Sequence, residues 1–212
     1  MIIGISGYAG SGKDTAAAII KRIDNTWEVR KFAHKLKVVA EILTGIPCED
    51  LNRQDVKESN LPDMWDVWGY KGRNDGDAVF PVYTGEPYRR SMTAREFLQK
   101  LGTDAIRNGL HEDAWVNALM SEYNSQCKWI ITDVRFPNEY DAICRAGGVM
   151  VRINRGSPVN NHPSETALDQ HEYLYVIDNN GSMAEFEEQV LHVYDNILTD
   201  WVVGQSIVML KR

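Results

Sequence analysis

The sequence predicts an α/β fold. A mostly parallel sheet is flanked by helices in a three-layer sandwich, with an insertion and a lid loop added to it. Short apolar runs alternate with amphipathic helical stretches, the rhythm that produces parallel sheets. The first run, Ile2–Ser6, passes through a glycine-rich turn straight into helical spacing. The length of 212 residues, with 43% apolar and 25% charged content, suits one globular domain, 1–212, and is short for two.

Taken in order, Ile2–Ser6 reads as a buried strand and Lys13–Ile23 as a helix packed through Ala16, Ala17, Ile19, Ile20 and Ile23. A short strand follows at 27–32, then a helix at 33–43 with Leu36, Val39, Ala40 and Leu43 on one side. Residues 45–91 are rich in Gly, Pro, Asp and aromatics and have little period. Trp65, Trp68, Tyr70, Phe80, Tyr83 and Tyr88 mark this stretch as an ordered insertion beside a ligand site, since a disordered linker lacks such residues. Thr93 with Glu96 forms a capping-box pattern before a helix, and a further helix is expected at 112–123. Then come a strand at 129–132, a helix at 137–146 opened by Pro137, and a strand at 149–153. A polar loop at 155–171 is the expected lid, followed by a strand at 173–177. Ser182 and Glu185 open a long amphipathic helix, and 202–210 reads as an edge strand.

The turn after the first strand carries the sharpest chemical signal. Gly7-Tyr8-Ala9-Gly10-Ser11-Gly12-Lys13-Asp14-Thr15 has the spacing of a P-loop, whose backbone N–H groups converge on phosphate in front of a helix N-terminus. Gly10, Ser11 and Gly12 belong to the phosphate cradle, and Lys13 reaches the β- and γ-phosphates of ATP. The hydroxyl that ligates Mg²⁺ normally follows the lysine directly; here Asp14 intervenes and the hydroxyl arrives at Thr15. This shift is similar to nucleoside monophosphate kinases. A carboxylate beside a triphosphate either faces Mg²⁺ or a second substrate, or is a favourable first-turn helix charge.

Parallel sheets bind ligands at the carboxyl ends of their strands, which directs attention to Asp133 and Arg135 after the 129–132 run. Asp133 stands where P-loop proteins serve Mg²⁺ or its waters, and Arg135 stands where it can clamp a phosphate, with Glu139 about one helical turn on. On a helix, Arg95, Gln99 and Gly102 share a face, open equally to solvent or to a nucleotide. Arg152, Arg155, His162, Ser164 and Glu165 string through the expected lid, where arginines neutralise a transferring phosphoryl group. Arg89, Arg90 and Arg107 are further phosphate candidates. Trp65, Trp68 and Trp115 are open to base stacking or to core packing.

A net charge of −7 argues against a broad nucleic-acid surface but not against a local arginine cluster. No apolar run approaches the roughly 20 residues of a membrane span, so no membrane partner is expected. Three widely spaced cysteines suggest neither disulfides nor zinc, and a cytoplasmic setting is expected. The apolar tail admits either a homodimer edge or a strand completing its own sheet.

In one order along the chain stand Gly7 to Thr15, Phe32-Ala33 with Leu36-Lys37, Leu98-Gln99 with Leu101-Gly102-Thr103, Trp115-Val116, Thr132 to Glu139, and His162 with Ser164-Glu165. Together they resemble the bacteriophage deoxynucleoside monophosphate kinases over nearly the whole chain. The resemblance implies phosphoryl transfer from ATP, with Mg²⁺ held at Thr15 and Asp133, to a dNMP for dNTP supply. It implies donor contacts at Ser11, Lys13 and Thr15. It further implies acceptor or catalytic roles at Asp14, Arg95, Gln99, Gly102, Thr103, Trp115, Asp133, Arg135 and Glu139. Glu96 and His34 depart from the family pattern, which places basic and acidic residues there. A kinase acting on a modified base or 5′ end within DNA is the alternative, and it would need a basic groove.

Overall fold

The computed structural model describes residues 1–70, 87–156 and 166–210. Phe80, Tyr83, His162, Ser164 and Glu165 lie outside them, as does most of the expected lid. Two compact units form, one from 1–35 with 115–212 and the other from 36–114.

Among the described residues the first unit holds five parallel strands, β1 (Ile2–Ser6), β2 (Glu28–Arg30), β5 (Trp129–Val134), β6 (Val149–Asn154) and β7 (Tyr175–Asp178). Their order is β2-β5-β1-β6-β7, which centres β1. Ile3 stands beside Ile130 on one side and Val149 on the other. Alternation along the strands splits the core into two layers. Ile3, Ile5, Ile130, Val151 and Ile153 face α1 (Lys13–Ile23) and α7 (Met183–Leu210), meeting Ala16, Ile20, Phe186, Val190 and Ile197. Ile2, Trp129, Ile131 and Met150 face the other way, onto Val116 of α5 (Ala114–Met120) and Ala142 and Ile143 of α6 (Pro137–Arg145). Gly4 shares that second face because a Cβ there would lie 2.4 Å from Met150 Sδ. The expected three-layer α/β sandwich is thus present.

The second unit carries most of α2 (Phe32–Thr44), α3 (Gln54–Glu58), an antiparallel hairpin of β3 (Val67–Tyr70) with β4 (Pro87–Arg90), and α4 (Ala94–Gln99). Its own core joins Ala40, Leu51, Leu61, Ala94 and Phe97, with Trp65 edge-on to Phe97 at 4.8 Å between ring centroids. Trp65 is therefore a packing residue, whereas Trp68 is exposed.

Several boundaries differ from the sequence expectation. The described residues of the 45–91 stretch form two 3₁₀ turns, a short helix and the two hairpin strands, elements too brief to show a period. Beyond Gln99 the helix widens into π winding over Lys100–Arg107, with Asn108 N bonded to Thr103 O at i→i+5. The α-helical phase linking Arg95 to Gly102 is lost there. The helix expected at 112–123 is confined to Ala114–Met120. The tail at 202–210, read as a strand, continues α7, because two short apolar runs around Gly204-Gln205-Ser206 carry no period to tell strand from helix. Among the described residues no helix is long and apolar enough to cross a membrane.

Candidate active site

Unit 1 builds a glycine-rich loop between β1 and α1. Gly12 caps α1 at φ +103°, and a Cβ there would stand 2.7 Å from Asn179 Nδ2 and 3.1 Å from Phe186 Cζ. At Gly7 a Cβ would lie 2.5 Å from Ile153 O. Only glycine lets the loop adopt this path. Asn179 fixes the loop from outside by donating to Ser11 O at 2.8 Å, and Ser11 is fully buried. Lys13 is folded across the loop, its Nζ donating to Gly7 O and Tyr8 O, each at 2.6 Å, and to Ser11 Oγ at 3.4 Å. A glycine-lined turn with an ammonium across it and a helix N-terminus behind suits a polyphosphate.

Asp14 opens the first turn of α1. Its Oδ1 accepts from Thr132 Oγ1 at 2.7 Å and pairs with Lys31 Nζ at 2.7 Å. Burial pushes this carboxyl up, but the Lys31 and Thr132 bonds and the Lys31 and Lys13 charges outweigh it, leaving it below the usual carboxylate value. Asp14 is thus an ionised group tied to the end of β5, a more specific arrangement than a simple helix-start charge.

Asp133 lies within β5, which runs on to Val134, and not just beyond the strand. Its Oδ1 and Oδ2 accept from Phe32 N and Ala33 N, both at 2.9 Å, capping the start of α2. The residue is half-buried while its carboxyl lies deep. Burial raises the pKa of this carboxyl, against the pull of the two N–H groups, Lys31 and Arg135. Arg135 follows at the strand end. Its backbone N, at 2.8 Å, and that of Phe136, at 3.2 Å, donate to Glu139 Oε2. Glu139 is buried and closes the first turn of α6, as a capping carboxylate does. Its local work is to hold the backbone that presents Arg135.

Arg152, grouped in the sequence with the lid, is built into the body of the unit and is 8% exposed. Nη1 donates to Ser6 Oγ at 3.2 Å and Nη2 to Asp169 Oδ1 at 2.7 Å. Its guanidinium also lies 4.8 Å from the Tyr8 ring centroid, and Tyr8 OH donates to Asp169 Oδ2 at 2.9 Å. Arg152 therefore braces the P-loop from behind. Arg152 stands inside β6, paired with Ser6 and Val176 on either side, and not in the loop that follows the strand.

In unit 2, Arg95 Nε donates to Glu58 Oε1 at 2.8 Å. Gln99 and Thr103 are exposed, while Gly102 is buried where a Cβ would press on Leu36 Cδ2 at 2.9 Å. Glu96 receives a two-pronged bond from Arg90, both prongs 2.6 Å, and Arg89 pairs with Asp66 at 2.5 Å. Thr93 accepts from Glu96 N, so the Thr93 half of the capping box forms while the Glu96 carboxylate pairs with Arg90. Trp115, at the start of α5 in unit 1, is 7% exposed.

Residues 83–190 match the family model described as deoxynucleotide monophosphate kinase. The chain is 32% identical over 214 residues to a protein of Acanthamoeba polyphaga mimivirus that carries a provisional deoxynucleotide monophosphate kinase assignment; the match covers 92% of this chain and 97% of that one. It is also 27% identical over 212 residues to the deoxynucleoside-5′-monophosphate kinase of Escherichia phage T5, covering 79% and 85% respectively.

Proposed function

The chain belongs to the deoxynucleotide monophosphate kinase family, and from that premise we propose that it moves the γ-phosphoryl group of ATP to the 5′-phosphate of a deoxynucleoside monophosphate. The observation that carries this is the cradle of unit 1, where Lys13 lies across a glycine loop while Asp14 is tied to the end of β5. In the reaction an acceptor phosphate oxygen forms a new bond to the γ-phosphorus as the bridging bond to ADP breaks, its electron pair leaving on ADP. That oxygen is already ionised near neutral pH, so no side chain has to take a proton. Catalysis then consists of alignment and of stabilising charge on the transferring group.

Lys13 and the N–H groups of the cradle would hold the donor phosphates. The Thr15 hydroxyl would ligate Mg²⁺, which when bound neutralises charge on the donor phosphates. Asp133 has both oxygens on the start of α2 and would serve that metal through water. Arg135, presented by the Glu139 turn, would clamp the phosphate under transfer. Acceptor roles are proposed for Asp14, Trp115 and Glu139 and, in the second unit, for Arg95, Gln99, Gly102 and Thr103.

Arg135→Lys should lower kcat by one to two decades, since one ammonium cannot replace a planar fork on two phosphate oxygens. The loss of such a charge-assisted contact is worth about 1.5–3 kcal/mol. Arg145→Lys, on the exposed side of α6, should leave steady-state rates unchanged. Equal effects at both positions would remove Arg135 from the site. The function itself is tested by a coupled ADP-release assay over dGMP, dTMP, dCMP, dAMP and 5′-hydroxyl oligonucleotides. Release stimulated by one or more dNMPs is expected; stimulation by oligonucleotides alone would give the chain to DNA-directed chemistry.

A further inference from the structure

A carboxylate in the first turn of a phosphate-binding helix works against its own ligand, and Asp14 stands there. The structure supplies a partner for it that no sequence motif marked. Lys31 sits between β2 and α2, at the carboxyl edge of the sheet, the same edge at which β1 delivers the cradle and β5 delivers Thr132 and Asp133. Its place is fixed by the chain that follows, because Phe32 N and Ala33 N are held on Asp133 and His34 N donates to Lys31 O at 3.1 Å. From this anchored point its Nζ reaches Asp14 Oδ1 at 2.7 Å.

Thr132 Oγ1 donates to that same oxygen, also at 2.7 Å. Both contacts therefore fall on Oδ1, while the Asp14 side chain is 70% exposed. Lys31 is 34% exposed, its ammonium drawn in against the carboxylate. Two donors on one oxygen fix the carboxylate plane more tightly than a single surface ion pair.

We propose that Lys31 is a positioning residue for phosphoryl transfer: it fixes and neutralises Asp14, so that a carboxylate can stand beside the donor polyphosphate without repelling it. Asp133 then has a definite task, since by clamping residues 32 and 33 it sets where Lys31 begins. The inference rests on the phosphoryl-transfer function proposed above, and it concerns donor affinity, which is measurable apart from turnover.

The test is equilibrium binding of a non-hydrolysable ATP analogue with Mg²⁺, by calorimetry, to the full-length wild type and three variants. Lys31→Met should weaken binding at least tenfold, because Asp14 is left uncompensated. Lys31→Arg should stay within about threefold of wild type. The double variant Lys31→Met with Asp14→Asn should recover most of the lost affinity, since the repelling charge has gone with its partner. Unchanged binding in Lys31→Met, or a double variant as weak as the single one, overturns the proposal. A Lys31→Met protein that failed to fold would leave the Lys31→Arg and double variants to decide. If the wild type itself failed to bind the analogue, the functional reading would fall instead.

Discussion

Lys13→Ala is expected to abolish phosphoryl transfer while the protein keeps its fold. The ammonium hydrogen-bonds carbonyls and a hydroxyl of its own loop, and it belongs to none of the apolar layers that hold the sheet. Its loss takes little from packing. In the proposed reaction it would remove a fixed cation from the place where charge shifts from the γ- to the β-phosphate. Losing one such preorganised donor costs roughly 2.7–4 kcal/mol, or two to three decades in kcat. Rate and melting temperature should be measured on the same preparation. A large loss of rate with a nearly unchanged melt is predicted, and near-normal transfer would refute the P-loop assignment.

The second large effect is expected at Gly12, with Gly10 as its internal control. Both have positive φ, +103° and +75°, so alanine at either strains the backbone by about 1–2 kcal/mol. Their surroundings differ. Nothing lies within 4 Å of a Cβ built at Gly10, whereas one at Gly12 meets Asn179 Nδ2 at 2.7 Å and the Phe186 ring at 3.1 Å. Asn179 cannot retreat without releasing Ser11 O, and Phe186 is locked in the α7 layer. Gly12→Ala should therefore cost nucleotide affinity on the order of a hundredfold, with a lowered melting temperature as well. Gly10→Ala should show only the backbone cost. If the two variants bind a nucleotide analogue equally well, the packing around Gly12 does not shape the cradle.

The sequence made the sheet and the cradle legible because both are written locally. The apolar run of β1, the glycines at 7, 10 and 12 and the helix of Ala16, Ala17 and Ile20 adjoin one another. What stayed hidden depends on pairs distant in the chain. Asp133 caps a helix that begins about a hundred residues earlier, so strand-end logic placed it at the ligand edge without revealing that both oxygens were engaged. Lys31 meets Asp14 only because β2 and β1 end at the same edge of the sheet, and a lone lysine between strand and helix carries no period or motif. Arg152 was grouped with the lid, yet it stands inside β6, where Ser6, Tyr8 and Asp169 hold it beneath the loop. At Lys100–Arg107 the π winding has no local signature, so the face shared by Arg95 and Gly102 on a regular helix does not persist.

The fate of the γ-phosphoryl group tests the account most directly. The wild-type protein should be incubated with Mg²⁺, ATP labelled on the γ-phosphorus and each dNMP in turn, with the products separated by chromatography. The account predicts that label moves into a deoxynucleoside diphosphate in step with ADP formation, and that Lys13→Ala stops both. Label found only in inorganic phosphate, or only on an oligonucleotide offered in competition, would contradict it.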